Sequence, residues 1–126
     1  MRYRVVVADD STDLRDLVCL LIDDEDDFSV VGAASNGAEA VQLAQELEPD
    51  LLVLDVDMPV MDGLEALRRV KAWHAQTRVV LLSALPRGSV PTDVVALADD
   101  YVEKGLSVTT LVERLRAICH RPAAAG

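Results

Sequence analysis

Basic residues are scarce in this chain. Its 12 Lys and Arg stand against 22 Asp and Glu, a net charge of −10, and a polyanion such as nucleic acid needs a basic patch that this balance does not supply. Binding partners are therefore expected among proteins and cations. Cysteine is scarcer still. Cys19 and Cys119 are too few for a disulfide framework, and each sits among aliphatics at helical spacing, so both are expected as buried thiols without a redox role. No apolar run approaches the roughly 20 residues of a membrane span, and Met1-Arg2-Tyr3-Arg4 leads into only a few apolar residues rather than a secretion signal. The expectation is a cytoplasmic protein with no membrane contact. What the chain does hold is 51% apolar residues over 126 positions, enough for one domain with a sizeable core.

Those apolar residues fall into two patterns. Arg4–Ala8, Phe28–Ala33, Leu51–Leu54, Arg78–Ser83 and Asp100–Glu103 are short, aliphatic and mostly β-branched, as strands are. Leu51 to Leu54 and Val79 to Leu82 have no polar face, which marks central strands covered on both sides. Between them the apolar spacing is helical: about Thr12–Ile22 with Ser11 or Thr12 as N-cap, a second helix carrying Ala38, Ala40, Val41, Ala44 and Leu47 and stopped by Pro49, and a third holding Leu64, Leu67 and Val70. Pro86, Gly88 and Pro91 leave room only for a short fourth helix, about Thr92–Leu97. The fifth runs from about Val108 to Cys119 with Ser107 as N-cap. Residues 1–120 form the domain, and 121–126 read as a frayed tail or the beginning of a linker. The five acids from Asp23 to Asp27 read as a solvated loop without function.

Five strands alternating with five helices give an α/β doubly wound parallel sheet, and the flavodoxin-like order 2-1-3-4-5 sets strands one and three side by side at the switch point. Every chemically expressive group then follows a strand: Asp9 and Asp10 after the first, Asp55 after the third, Ser83 after the fourth and Lys104 after the fifth. Three carboxylates brought together repel one another unless a cation sits among them, and hard oxygen ligands with open water positions suit Mg²⁺. Ser83 can donate one hydrogen bond and Lys104 brings a positive charge, which suits an incoming phosphoryl group on the side away from the metal. The constellation is suited to phosphoryl transfer to a carboxylate.

At these residues the chain resembles the receiver domain of two-component response regulators, from Val5 to about Cys119. The resemblance is carried by Asp9-Asp10, by Asp55-x-Asp57-Met58-Pro59-x-Met61-Asp62-Gly63, by Ser83-Ala84 and by Tyr101-x-x-Lys104, with spacings of 45, 28 and 21 positions from Asp10 to Asp55, from Asp55 to Ser83 and from Ser83 to Lys104. It implies that Asp55 is the phosphoacceptor, attacking a phosphohistidine on a sensor histidine kinase. It further implies that Asp10, Asp55 and the main-chain carbonyl of Asp57 bind Mg²⁺, with Asp9 acting through water. Ser83 and Lys104 would hold the phosphoryl oxygens beside Ala84, and Tyr101 would turn inward as Ser83 moves toward them. The switched surface would lie along the fourth helix, fifth strand and fifth helix, and would act on an output domain or a second copy of the chain.

Such a domain is a switch rather than an enzyme, assisting only its own loading and loss of phosphate. Transcription through an output domain beyond this chain is the expected output, because Val30-Val31-Gly32-Ala33-Ala34 and Gly105 with Ser107 resemble receivers attached to tetrahelical helix-turn-helix domains; the alternative is a stand-alone receiver. One departure stands out: Gly105 occupies the place where the family usually has a proline after a cis peptide, and without proline a trans bond is expected.

Asp55-Val56-Asp57 also fits a haloacid-dehalogenase-type phosphohydrolase. Its nucleophile usually lies on the first strand, however, where this chain already has Asp9-Asp10. A flavin module on the same fold would find its phosphate repelled by these aspartates. Met58 and Met61 are expected as packing, Tyr101 on residue pattern alone as a half-buried strand aromatic, and His74 and His120 as surface histidines. Trp73 is expected away from Asp55.

Overall fold

The computed structural model describes residues 2–105 and 107–120. The expected tail, 121–126, lies outside the described residues. Five strands, β1 (Tyr3–Ala8), β2 (Phe28–Ala34), β3 (Leu51–Asp55), β4 (Arg78–Ser83) and β5 (Asp100–Glu103), form one sheet in the order β2-β1-β3-β4-β5. Every pairing is parallel. Between them run α1 (Thr12–Asp23), α2 (Gly37–Leu47), α3 (Gly63–Trp73), the short α4 (Thr92–Val95) and α5 (Val108–Cys119), with a single 3₁₀ turn at Arg87–Ser89 ahead of α4. The expected doubly wound fold with five helices is the one observed. α4 ends two residues before the expected Leu97.

Side chains alternate across the pleat, so each strand feeds two cores. Val6, Ala8, Leu52, Leu54, Val79, Leu81 and Tyr101 face α2, α3 and α4, meeting Ala40, Ala44, Leu67 and Val70. Val5, Val7, Leu51, Val53, Val80, Leu82 and Val102 face α1 and α5, meeting Val18, Ile22, Leu115 and Ile118. All of β3 is buried, as a central parallel strand requires. Each fully buried leucine here contributes about 1.5–3 kcal/mol. Cys119 is buried as expected, whereas Cys19 on α1 is only half-buried, packed against the edge of the same core.

Helix ends follow local chemistry. Ser11, Asn36, Asp62 and Ser107 accept from backbone N–H groups of the first turns of α1, α2, α3 and α5, satisfying donors that a helix leaves open. α2 stops at Glu48 in a left-handed conformation before Pro49, and Arg4 Nη1 donates to the Leu47 carbonyl at 2.6 Å.

The acidic block does more than the solvated loop expected of it. Arg116 of α5 bonds Asp27 at 2.7 Å and Glu25 at 3.2 Å, and the Asp23 carboxylate accepts from the N–H of Val30 at 3.0 Å. Part of the block therefore braces α5 against the start of β2. The acid count alone does not show this pairing, because Arg116 lies 89 residues from Asp27 in sequence.

Candidate phosphoacceptor and cation site

The sheet register assembles the site. Ala8 pairs with Leu54 and Asp55 with Leu82, so Asp9 and Asp55 leave neighbouring strands side by side; Ser83 pairs with Glu103, which sets Lys104 one residue beyond. The result is that Asp9, Asp10 and Asp55 each offer a carboxylate oxygen within 4.8 Å of the others. Asp9 and Asp55 are 2% exposed, while Asp10 is open to solvent.

Asp9 is held on every side but one. Its N–H donates to the Ala34 carbonyl at 3.1 Å, its Oδ1 accepts from the Ser11 N–H at 2.9 Å, and its carbonyl accepts from Arg15 Nη1 at 2.9 Å. Oδ2 has no hydrogen-bond partner and only a 3.4 Å ion pair with Lys104 Nζ. A buried carboxylate oxygen left this way is costly. A hard cation among the three carboxylates would satisfy it, so the donor set fits a divalent ion such as Mg²⁺.

Asp55 Oδ1 meets Lys104 Nζ at 3.1 Å and accepts the Asp57 N–H at 3.3 Å. Burial pushes the Asp55 carboxyl up to about 6; the Lys104 hydrogen bond opposes the rise, and the Asp9 charge adds to it. Burial alone would lower the Lys104 ammonium, but the hydrogen bond and charge of Asp55, together with Asp9, carry it above its ordinary value. Two acids and one lysine thus share too little positive charge, which leaves room for a cation.

The loop after Asp55 is tied down. Gly63 N–H donates to the Val56 carbonyl and Gly37 N–H to the Met61 carbonyl, both at 2.9 Å. A Cβ on Gly63 would lie 2.2 Å from the Asp55 carbonyl oxygen, so only glycine lets the start of α3 close over the acid. Between these ties Met61 N–H bonds the Pro59 carbonyl at 2.7 Å across Val60, whose φ is 68°. That is a γ-turn centred on a β-branched residue, a strained form. Met58 is buried and Met61 half-buried against the α2–α3 core, so both pack. Asp57 has an exposed side chain.

On the opposite side Ser83 is 1% exposed and its Oγ accepts the Leu85 N–H at 3.0 Å, so the hydroxyl keeps its proton to give. Ala84 is exposed beside it. Tyr101 is 3% exposed rather than half-buried, and its hydroxyl donates to the Leu85 carbonyl at 2.8 Å. The ring thus lies inward in this structure, linked to Ser83 through Leu85. Arg114 fastens β5 by a two-pronged bond to Asp100, 2.6 and 2.9 Å, and a third to the Tyr101 carbonyl. Described peptide bonds are all trans, Lys104-Gly105 included, and Gly105 has φ 102°.

Residues outside the site match their expectations less evenly. Trp73 is 42% exposed at the end of α3, its ring tilted against that of His74 at 5.3 Å. His74 is half-buried, its Nδ1 2.9 Å from Thr77 Oγ1, and the exposed His120 stands edge-on to Tyr3. Arg15 was not singled out by the sequence reading. Its signal was available: a cation in the first turn of a helix, where acids are preferred.

Residues 5–116 match the response regulator receiver domain family. The chain is 34% identical over 116 residues to the chemotaxis protein CheY of Bacillus subtilis, covering 91% of this chain and 96% of that protein. It is 43% identical over 108 residues to a protein-glutamate methylesterase/protein-glutamine glutaminase of a Nocardioides species, covering 83% of this chain and 30% of the relative. A similar relative from Trichodesmium erythraeum is 32% identical over 95% of this chain and 38% of its own. The chain thus spans about a third of these methylesterase relatives. Among solved structures, the response regulator domain of Thermotoga maritima CheB superposes with a TM-score of 0.86 at 34% identity, covering 97% of this chain and 99% of that one. The receiver domain of NarL from Mycobacterium tuberculosis gives 0.87 at 31%, covering 95% and 98%.

Proposed function

The chain belongs to the response regulator receiver family, and from that premise we propose that Asp55 is its phosphoacceptor, loaded by the phosphohistidine of a sensor histidine kinase. The observation that carries this is the Asp55 carboxylate, buried at the end of β3, paired with Lys104 at 3.1 Å and flanked by Asp9 and Asp10. In the transfer an Asp55 oxygen bonds to phosphorus as the phosphorus–nitrogen bond breaks, and the electron pair stays on the imidazole. Lys104 then exchanges its partner, leaving the Asp55 oxygen for a phosphoryl oxygen, and Ser83 Oγ–H donates to another.

Asp9, Asp10 and Asp55, with the main-chain carbonyl of Asp57, would hold Mg²⁺. When bound, the cation offsets negative charge between the acceptor carboxylate and the phosphoryl group. Movement of Ser83 is passed to Tyr101 through Leu85, which supports a readout on the β5 side of the domain. The chain acts as a switch without substrate turnover beyond its own phosphate. Its reading partners are an output domain or a second copy; transcription is the output we favour. Among the described residues no helix is long and apolar enough to cross a membrane, in keeping with a cytoplasmic site of action. Site placement at the ends of β1, β3, β4 and β5 favours this reading over an aspartyl phosphohydrolase.

The test is acid-labile phosphate after incubation with acetyl phosphate or a cognate kinase. It is expected on the wild type and absent from Asp55→Asn, which preserves shape without the nucleophile; phosphate retained on that variant would move the acceptor elsewhere.

A further inference from the structure

Arg15 is placed where simple electrostatics would not put it. It is the fourth residue of α1, close to the positive pole of the helix dipole, where a cation is disfavoured. It also stands beside a cluster that fits a divalent cation, which its charge would repel. Its side chain leans back toward the helix N-terminus, as helical side chains do, and Nη1 reaches the Asp9 carbonyl at 2.9 Å. That carbonyl lies one residue past β1, beyond its last ladder pair with β3, Ala8 with Leu54, and so needs a donor from elsewhere. The carbonyl belongs to the peptide joining Asp9 to Asp10. Its orientation, with the Ala34 and Ser11 bonds to Asp9, sets where both carboxylates point.

We infer that Arg15 is a positioning residue for the cation site: through the Asp9 carbonyl its guanidinium orients the Asp9-Asp10 peptide so that both carboxylates face the cation. The inference rests on the Mg²⁺ reading given above. It has a distinctive sign. Removing a nearby positive charge should strengthen cation binding if charge alone mattered, whereas losing the positioning bond weakens it. Outer partners of metal ligands commonly affect affinity by about 10–100-fold, and Arg15 acts one bond further out, so a loss of about tenfold is expected.

The experiment is calorimetric titration with Mg²⁺ of the wild type, Asp10→Ala, Arg15→Ala, Arg15→Lys and Arg69→Ala, with melting curves in a chelator to verify folding. Arg69 is exposed on α3 and pairs with Glu65, so its replacement changes the net charge equally without touching the site. Expected are binding lost in Asp10→Ala, weakened about tenfold in Arg15→Ala, largely kept in Arg15→Lys, which retains a donor, and unchanged or slightly tighter in Arg69→Ala. If Arg15→Ala does not fold, Arg15→Gln takes its place with weaker binding still expected. Wild-type binding that Asp10→Ala leaves intact, or no wild-type binding, would overturn the Mg²⁺ reading and this inference with it. Binding lost in Asp10→Ala yet equal or tighter in Arg15→Ala would overturn the inference alone.

Discussion

The two walls of the acidic pocket differ in how tightly they are held. The wall from β1 and β3 is over-determined: Asp9 is bonded through its N–H, its carbonyl and one carboxylate oxygen, and the loop after Asp55 is tied by the Gly37 and Gly63 amides tightly enough to keep Val60 at φ 68°. The wall from β4 and β5 is fastened behind by Arg114, but where it faces the acids its contacts are exchangeable. Lys104 is divided between two carboxylates at 3.1 and 3.4 Å, and a Cβ on the adjoining Gly105 would meet nothing within 4 Å. A switch needs such a division, since one wall must hold still to receive the phosphoryl group while the other moves to report it.

Glycine substitutions should separate the walls most strongly. Gly63→Ala forces a methyl into the Asp55 carbonyl, where backbone cannot yield, and should cost about 3 kcal/mol or more, the upper end of overpacking effects. Gly105→Ala meets open space and bears only the strain of φ 102°, about 1–3 kcal/mol. Gly105→Pro, with φ confined near −65°, should also lower stability. Chemical denaturation of the three variants checks the order; Gly63→Ala milder than Gly105→Ala would erase the contrast.

A smaller effect concerns pH. The folded Asp55 carboxyl lies at about 6, above its ordinary 3.8, so in the metal-free protein its contribution is fully present below about pH 4 and is lost as pH rises through 6. Asp55→Asn carries no such loss. Its stability relative to wild type should therefore grow between pH 4 and 7, by about 1–3 kcal/mol at most, while the two proteins converge toward pH 4. Parallel stability curves would mean that burial does not hold the proton on Asp55.

The smallest expected change is Tyr101→Phe. It removes the bond to the Leu85 carbonyl at a cost of about 0.5–1.5 kcal/mol, and should leave phosphate incorporation on Asp55 unaltered. A marked fall in incorporation would show that the β5 wall takes part in loading as well as in reporting it.

How much of this the residues announce depends on the range of the interaction. The buried runs Leu51 to Leu54 and Val79 to Leu82 have no polar face, so their central place in a parallel sheet was legible, and with it the convergence of Asp9, Asp10, Asp55 and Lys104 at strand ends. The trans bond before Gly105 also followed from residue type. Periodicity could not reveal contacts joining distant segments at single points. The Arg116 pairing with Glu25 and Asp27 turned an apparently idle acidic block into a brace. Tyr101 is buried further than its β5 pattern suggested because Leu85, in an irregular segment, supplies its hydrogen-bond partner. Nor does the stretch Pro59-Val60-Met61 announce a left-handed valine, since that conformation is imposed by Gly37 and Gly63 on either side.

The division between a receiving and a reporting wall is tested most directly in Lys104→Ala. Acid-labile phosphate and the NMR signals of Tyr101 are measured on the same sample, before and after acetyl phosphate. Asp55 and the carboxylates remain in place, so phosphate should still be incorporated; with the lysine gone, the phosphoryl group is no longer held toward the β4–β5 wall, so neither the end of β5 nor Ser83 is drawn to it, and the Tyr101 signals should stay at their resting positions. Tyr101 signals that shift on phosphorylation of Lys104→Ala as they do in the wild type would contradict the account.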